Sequence, residues 1–227
     1  MKVAVVTGAS SGVGLAVARR FVAKGWSVHG FARTRAALEA AHAELGTRFA
    51  PHVVDVRDAA QVHAAFARLA KVEVLVNNAA VFRMKPFWQC DDADLDAMID
   101  TNLKGTLRCT RAALAKMEPG ARIINVGSVA GTHGIANQAI YCASKFGVEG
   151  FADALGQELQ PRGIAVTTVA PGGIDTPLWQ AKDNPYPGPP GKILEADDVA
   201  RLVEYVAELP PHVVLKRVTL FPSNEWH

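Results

Sequence analysis

Tyr141 and Lys145 stand four residues apart in the stretch Tyr141-Cys142-Ala143-Ser144-Lys145. On a helix that spacing places both side chains on one face. A phenol with its ordinary pKa of about 10 is a poor proton donor or acceptor at neutral pH. An ammonium beside it favours the phenolate and lowers that value. The pair therefore reads as an acid/base unit that gives a proton to a carbonyl oxygen or takes one from an alcohol. A Tyr and a Lys so spaced also decorate many solvated helices, so the pair alone does not decide the matter. Ser128 precedes Tyr141 by thirteen residues, just after an apolar run. Taken alone, it reads as a turn or helix-cap residue.

A second constellation lies at the start. The apolar run Val3–Val6 leads into Thr7-Gly8-Ala9-Ser10-Ser11-Gly12-Val13-Gly14. A strand, a glycine-rich turn and a helix N-terminus make a phosphate site: glycines admit the ligand close to the backbone, and the helix end offers free N–H groups. The spacing G-x-x-x-G-x-G departs from the dinucleotide fingerprint G-x-G-x-x-G, and a plain tight turn is the competing reading.

These residues need elements to hold them. Short β-branched runs fall at 3–6, 26–31, 52–56, 72–76, 122–126, 165–169 and 215–221. Helical segments lie between them at 14–24, 34–45, 59–70, 95–117 (one helix or two), 141–159 and 197–208. Alternation of this kind predicts βαβ units and a parallel sheet covered on both faces. The run Val72–Val76 lacks the alternation of a half-exposed strand, in keeping with burial on both sides.

The chain has 227 residues, 49% hydrophobic and 20% charged, with a net charge of +2. That suits one globular domain spanning 1–227 and excludes disorder as the main state. The charge is too small for a protein built to capture nucleic acid. Cys90, Cys109 and Cys142 are far apart, so no C-x-x-C pair is available for a metal or a redox couple. The first strand is too short for a signal-peptide core, and no apolar stretch approaches the ~18 residues of a membrane span. A soluble, cytoplasmic protein is expected. Pro185, Pro187, Pro189 and Pro190 mark a segment that is neither helix nor central strand. It reads as a loop over a site, within a lid spanning 177–195.

The glycine turn after the first strand, Asn77-Asn78-Ala79-Ala80 after the fourth, Tyr141-Cys142-Ala143-Ser144-Lys145, and Pro171-Gly172 after the sixth together resemble the short-chain dehydrogenase/reductase family in its shorter, single-domain branch. The likeness runs from Val3 to about Val218. The one small departure is Ala80, where the family usually has Gly.

The resemblance implies a doubly wound Rossmann fold with a parallel seven-stranded sheet and helices on both faces. It implies an oxidoreductase that passes a hydride between a nicotinamide and a carbonyl or secondary alcohol. Tyr141 would be the general acid/base, and Ser128 would hydrogen-bond the substrate oxygen. Lys145 would also bind the nicotinamide ribose, and Asn102 would hold a water in a proton relay. Gly8, Ser10, Ser11, Gly12, Val13 and Gly14 would carry the pyrophosphate. Asn77, Asn78 and Ala79 would pack on the ribose and adenine side. Pro171, Gly172, Ile174 and Thr176 would close on the nicotinamide. Asp55, with Val56, would meet the adenine amino group; the other reading of Asp55 is a helix N-terminal acid.

NAD enzymes of this class place an acid at the end of the second strand. Here Ala32 takes that place and Arg33 follows. Guanidinium suits a phosphate, so NADP(H) is expected over NAD(H), with Arg33 on the 2′-phosphate and Thr34 or Arg35 assisting. A solvated charge at a helix entry is the alternative for Arg33. Val129, His133, Ile135, Asn137 and Gln138 are expected to line the substrate pocket. Phe82, Arg83 and Met84 add to it from the turn after Asn78, and Leu178, Trp179 and Tyr186 from the lid. For these aromatics, buried packing is the alternative. His133 is not read as a metal ligand, and no metal is expected.

Three rivals stay open: a 3-oxoacyl-thioester reductase, a sugar, polyol or amino acid dehydrogenase, and a sensor that binds NADP(H) without turnover. The family's habit further implies a homo-oligomer, dimer or tetramer, paired through the helices that carry Asn102 and Tyr141.

Overall fold

The structure, a computed structural model, describes residues 1–180 and 193–224. Its elements in chain order are β1 (Val3–Thr7), α1 (Gly12–Ala23), β2 (Ser27–Ala32), α2 (Arg35–Leu45), β3 (Phe49–Val53), α3 (Ala59–Ala67), β4 (Val74–Asn77), α4 (Asp92–Met98), α5 (Thr106–Leu114), β5 (Arg122–Val126), α6 (Ala139–Leu159), β6 (Ala165–Pro171), β7 (Ile174–Asp175), α7 (Pro177–Gln180), β8 (Leu194–Glu195), α8 (Ala196–Glu208) and β9 (Arg217–Leu220).

Seven strands form one parallel sheet in the order β3-β2-β1-β4-β5-β6-β9. This is the doubly wound α/β architecture expected from the sequence. Strands buried on both faces must be apolar throughout, and Val74, Leu75, Val76, Ile123 and Ile124 are almost fully enclosed. On one face, α1, α2 and α8 pack Phe21, Leu38 and Val203 onto the sheet. On the other, α3, α5 and α6 supply Phe66, Cys109 and Leu155. Arg20 of α1 reaches Asp197 and Glu204 of α8, and Lys24 reaches Glu204 and Glu208. The first and last long helices are thereby tied together.

Most boundaries shift by a few residues from the sequence expectation. The third strand begins at Phe49 rather than His52 and includes Pro51. Proline lacks a ladder donor, but β3 is an edge strand and can spare one. The segment 95–117, expected to carry one helix or two, carries two, joined by a π-helical turn, Ile99–Gly105. Gly105 lies in that turn against Val56, where an added Cβ would come within 2.7 Å of Val56 Cγ2. The helix after the glycine turn starts at Gly12, two residues before the expected point.

The expected lid is described only at its ends. It leaves through α7 and returns at β8, which pairs in parallel with β7 (Ile174 with Leu194, Asp175 with Glu195). Tyr186 and the four prolines lie outside the described residues. Among the described residues, no helix is long and apolar enough to cross a membrane.

Candidate active site

The strand order reverses between β1 and β4, so the loops that follow them diverge. A crevice at the carboxyl ends of the strands results, the usual ligand position in open α/β sheets. Here it is a cleft of about 550 Å³. Gly8, Ser10, Ser11, Gly12, Val13, Arg33, Thr34, Asp55, Val56, Asn78 and Ala79 line one end. Ser128, Tyr141, Lys145, Pro171, Gly172, Ile174 and Thr176 line the other, and Val129, Ile135, Gln138, Leu178 and Trp179 extend it outwards.

The first end is a cradle of backbone. Gly8 and Gly12 have φ of +66° and +52°, a conformation side chains other than glycine rarely adopt. Gly14 lies behind the cleft, where a Cβ would fall 2.3 Å from the Gly8 carbonyl oxygen. Thr7 fixes the opposite loop: its hydroxyl accepts from the Asn78 and Ala79 backbone N–H groups at 2.9 and 3.0 Å. Asn78 Nδ2 returns a bond to the Thr7 carbonyl at 2.9 Å. Ser11 precedes α1 in extended conformation without capping it through its side chain, which leaves first-turn N–H groups for an anion.

Beyond the cradle, Arg33 is exposed on the cleft wall, and Thr34 opens α2 without a side-chain cap bond. Asp55 is engaged already. Arg57 grips its carboxylate through Nε at 3.0 Å and Nη at 2.7 Å, and the Arg57 backbone N–H adds a bond of 2.9 Å. The hydrogen-bonded guanidinium holds the Asp55 carboxyl below its ordinary value. The helix-capping role considered for Asp55 belongs to Asp58, which accepts from Ala60 and Gln61 at the start of α3. The cradle and the open helix end fit a dinucleotide, with Arg33 exposed beside them on the cleft wall.

At the other end, α6 places Tyr141 and Lys145 on its buried face, and the turn after β5 brings Ser128 to them. The Tyr141 and Ser128 side chains are hydrogen-bonded. Lys145 Nζ donates to the Val126 carbonyl at 2.9 Å and lies 5.6 Å from the Tyr141 ring centre. Burial pushes the Tyr141 phenol up to about 12, against the pull of the Ser128 hydrogen bond. The expectation was that the lysine lowers the phenol; burial raises it instead, only Ser128 opposing, and the phenol is protonated at neutral pH. Burial also brings Lys145 down to about 8, opposed by Glu149. The ring is fixed edge-on to Phe82 at 4.9 Å, and Phe82 in turn packs on Trp179 at 4.8 Å.

Some expected residues are elsewhere. His133 is exposed, does not line the cleft, and pairs its Nδ1 with the Thr132 hydroxyl at 2.9 Å. Asn137 and Arg83 are likewise exposed and off the cleft wall, and Phe82 is a buried support rather than a lining residue. Asn77 is buried behind the wall and bonded to Thr110 and Asn125. Asn102 is not on the wall: it accepts from the Val81 N–H at 2.7 Å and donates to the Val81 carbonyl at 2.9 Å and to Ser144 Oγ at 3.1 Å. Its neighbour Thr101 lines the cleft instead. An α-helical reading of 95–117 could not find Thr101, because the π turn rotates the facing position. Val81 and Phe31 were missed as well. Both carried an apolar signal that also marks ordinary core.

The fold and the cleft define a dinucleotide-binding oxidoreductase. A family model described as short chain dehydrogenase matches residues 2–186, and the chain belongs to that family. Its enzymes act on carbonyl and alcohol substrates. The chain is 36% identical to sulfoacetaldehyde reductase 2 of Chromohalobacter salexigens, covering 98% of this chain and 95% of that one. It is 35% identical to the 3-oxoacyl-acyl-carrier-protein reductase FabG of Escherichia coli, covering 91% and 89%. Among solved structures, the closed form of a serine dehydrogenase complexed with NADP+ superposes with a TM-score of 0.89 at 29% identity, covering 99% and 96%.

Proposed function

We propose that the chain is an NADP(H)-dependent oxidoreductase that interconverts a carbonyl compound and a secondary alcohol, with Tyr141 as general acid/base. The observation that carries this reading is the single cleft joining the glycine cradle and Arg33 to Ser128, Tyr141 and Lys145. The nicotinamide cofactor, when bound, supplies or accepts the hydride. In reduction, the Tyr141 hydroxyl donates its proton to the substrate oxygen and is left as phenolate. Ser128 donates a hydrogen bond to the same oxygen as negative charge develops there. The Lys145 ammonium stabilises the phenolate and also binds the nicotinamide ribose. Oxidation runs the same proton path in reverse. Asn102 acts through the Val81 loop and Ser144 on α6, as a positioning residue.

Arg33 and Thr34 take the 2′-phosphate, with no acid at the end of β2 to contest it. The 1.5–3 kcal/mol of a hydrogen bond to a charged group corresponds to a preference of about 10- to 150-fold. The relative complexed with NADP+ supports this choice. The substrate side, Val129, Ile135, Leu178 and Trp179 with the Gln138 amide, suits a carbonyl with apolar substituents. A 3-oxoacyl thioester fits that description, and the named activity of FabG favours it as the specific substrate class. Leu107 of α5 and Phe146 of α6 are exposed apolar side chains and supply the face for a homo-oligomer.

The test is NADPH oxidation by the purified protein against ketones, aldehydes and 3-oxoacyl thioesters. Turnover is expected with NADPH, and Tyr141→Phe is expected to lower it by about 10²- to 10⁴-fold. Near-wild-type turnover in Tyr141→Phe would overturn the assignment. Binding of NADPH without turnover in either direction would favour a sensor.

A further inference from the structure

One carboxylate near the cleft has no role in the chemistry above. Glu149 follows Lys145 by one turn of α6, on the same face. Its Oε1 is shut off from solvent and has no hydrogen-bond partner among the described residues. Such an atom is costly to keep and needs an explanation. The side chain is wedged behind the turn that carries Ser128. A Cβ at Gly127 would lie 3.2 Å from Glu149 Oε1, and one at Gly131 would lie 3.0 Å from Glu149 Cγ. The same turn begins at the Val126 carbonyl that Lys145 Nζ grips. The carboxylate and the ammonium therefore sit against adjoining peptide units at the end of β5.

We propose that Glu149 is a positioning residue whose half-buried negative charge holds Lys145 in its cationic form, so that the pH range of turnover is set from behind the cleft. The inference rests on the roles assigned above to Tyr141 and Lys145. The charged groups that face Glu149 are Lys145 on its own helix and Arg217 on β9. The turn itself adds only the backbone of Gly127 and Gly131, and β6 adds the uncharged Thr168 beside Gly127. Burial disfavours the carboxylate while the two cations favour it. On Lys145 the balance is the mirror image: burial disfavours the ammonium and Glu149 restores it. A carboxylate bonded elsewhere would have its field spent on that partner. With no hydrogen-bond partner on Oε1, the half-buried carboxylate acts through space on both cations, Arg217 and Lys145.

The sign of the effect follows. Lys145 must be charged to stabilise the phenolate, so turnover falls as pH rises through the lysine's value. Removing the Glu149 charge lowers that value, and the fall begins at lower pH. Glu149→Gln is expected to move the alkaline limb of kcat against pH down by about one unit. Activity is then lost several-fold more at pH 8 than at pH 6. Glu149→Asp keeps the charge and is expected to leave the limb near its wild-type position. Should Glu149→Gln fail to fold, Glu149→Met removes the orphaned polar atom as well as the charge and is expected to give the same shift. A uniform loss of activity at every pH, or an unmoved limb in both neutral variants, would overturn the proposal and leave Glu149 a packing residue. Absence of Tyr141-dependent turnover in the wild type would instead overturn the reaction assignment on which it rests.

Discussion

Tyr141 is held by neighbours that do different things. Ser128 bonds it, Phe82 fixes its plane, and burial keeps it protonated. Spacing together with the family resemblance pointed to Tyr141, Lys145 and Ser128, but not to the direction of the phenol's shift, because enclosure is a property of the packed cleft. Phe82→Ala is expected to leave the reacting groups in place while loosening the ring. A loss of about 10-fold or more in kcat, with cofactor affinity nearly kept, is the outcome expected from steady-state kinetics and fluorescence titration. At the cofactor end, Arg33→Ala is expected to weaken NADPH about 10- to 150-fold with little effect on NADH. Equal losses for both would remove Arg33 from the 2′-phosphate. His133 shows how a spacing argument fails at this scale. It falls between Ser128 and Tyr141 in sequence, yet the turn carries it outward to Thr132.

At the scale of elements, the alternation of strand and helix was legible because two-sided burial demands continuous apolar runs. The exceptions come from places where a local rule is relaxed. Pro51 argues against a strand unless the strand is at an edge, and edge position depends on pairing that a sequence does not display. The π turn at Ile99–Gly105 has no compositional mark, so nothing in the sequence singled out Thr101 as the residue of that turn that lines the cleft. The end of α8 offers a test of element docking. Arg122, buried on β5, donates to the carbonyls of Leu209, Pro210 and Val213 just after that helix. Removing a charged donor to several carbonyls costs roughly 2–4 kcal/mol. Arg122→Ala is expected to lower stability by that amount in denaturant unfolding, with the chemistry of the cleft unchanged.

For the whole molecule, the contact between α1 and α8 is the long-range closure. Asp197 is held below its ordinary value by its hydrogen bond to Arg20, and Glu204 is lowered as well, its bonds to Arg20 and Lys24 outweighing burial. A depressed carboxyl contributes stability above its unfolded value, near 4. That contribution is lost as pH falls through the lower folded value. The melting temperature is therefore expected to drop on acidification below about pH 4, and Arg20→Gln is expected to flatten that drop. Because these pairs are partly exposed, added salt is expected to weaken them too.

The same closure sets a schedule for biosynthesis. The apolar face of α1 emerges from the ribosome well before the α8 face that covers it, which begins 173 residues after α1 ends. At about 5–20 residues per second the interval is roughly 10–40 s. Throughout it, Phe21 and its neighbours have no final cover. A nascent chain arrested before residue 196 would present a sticky helix on an incomplete sheet. Chaperone demand should therefore fall sharply once α8 is free to pack on α1, far more than the addition of thirteen residues alone would suggest.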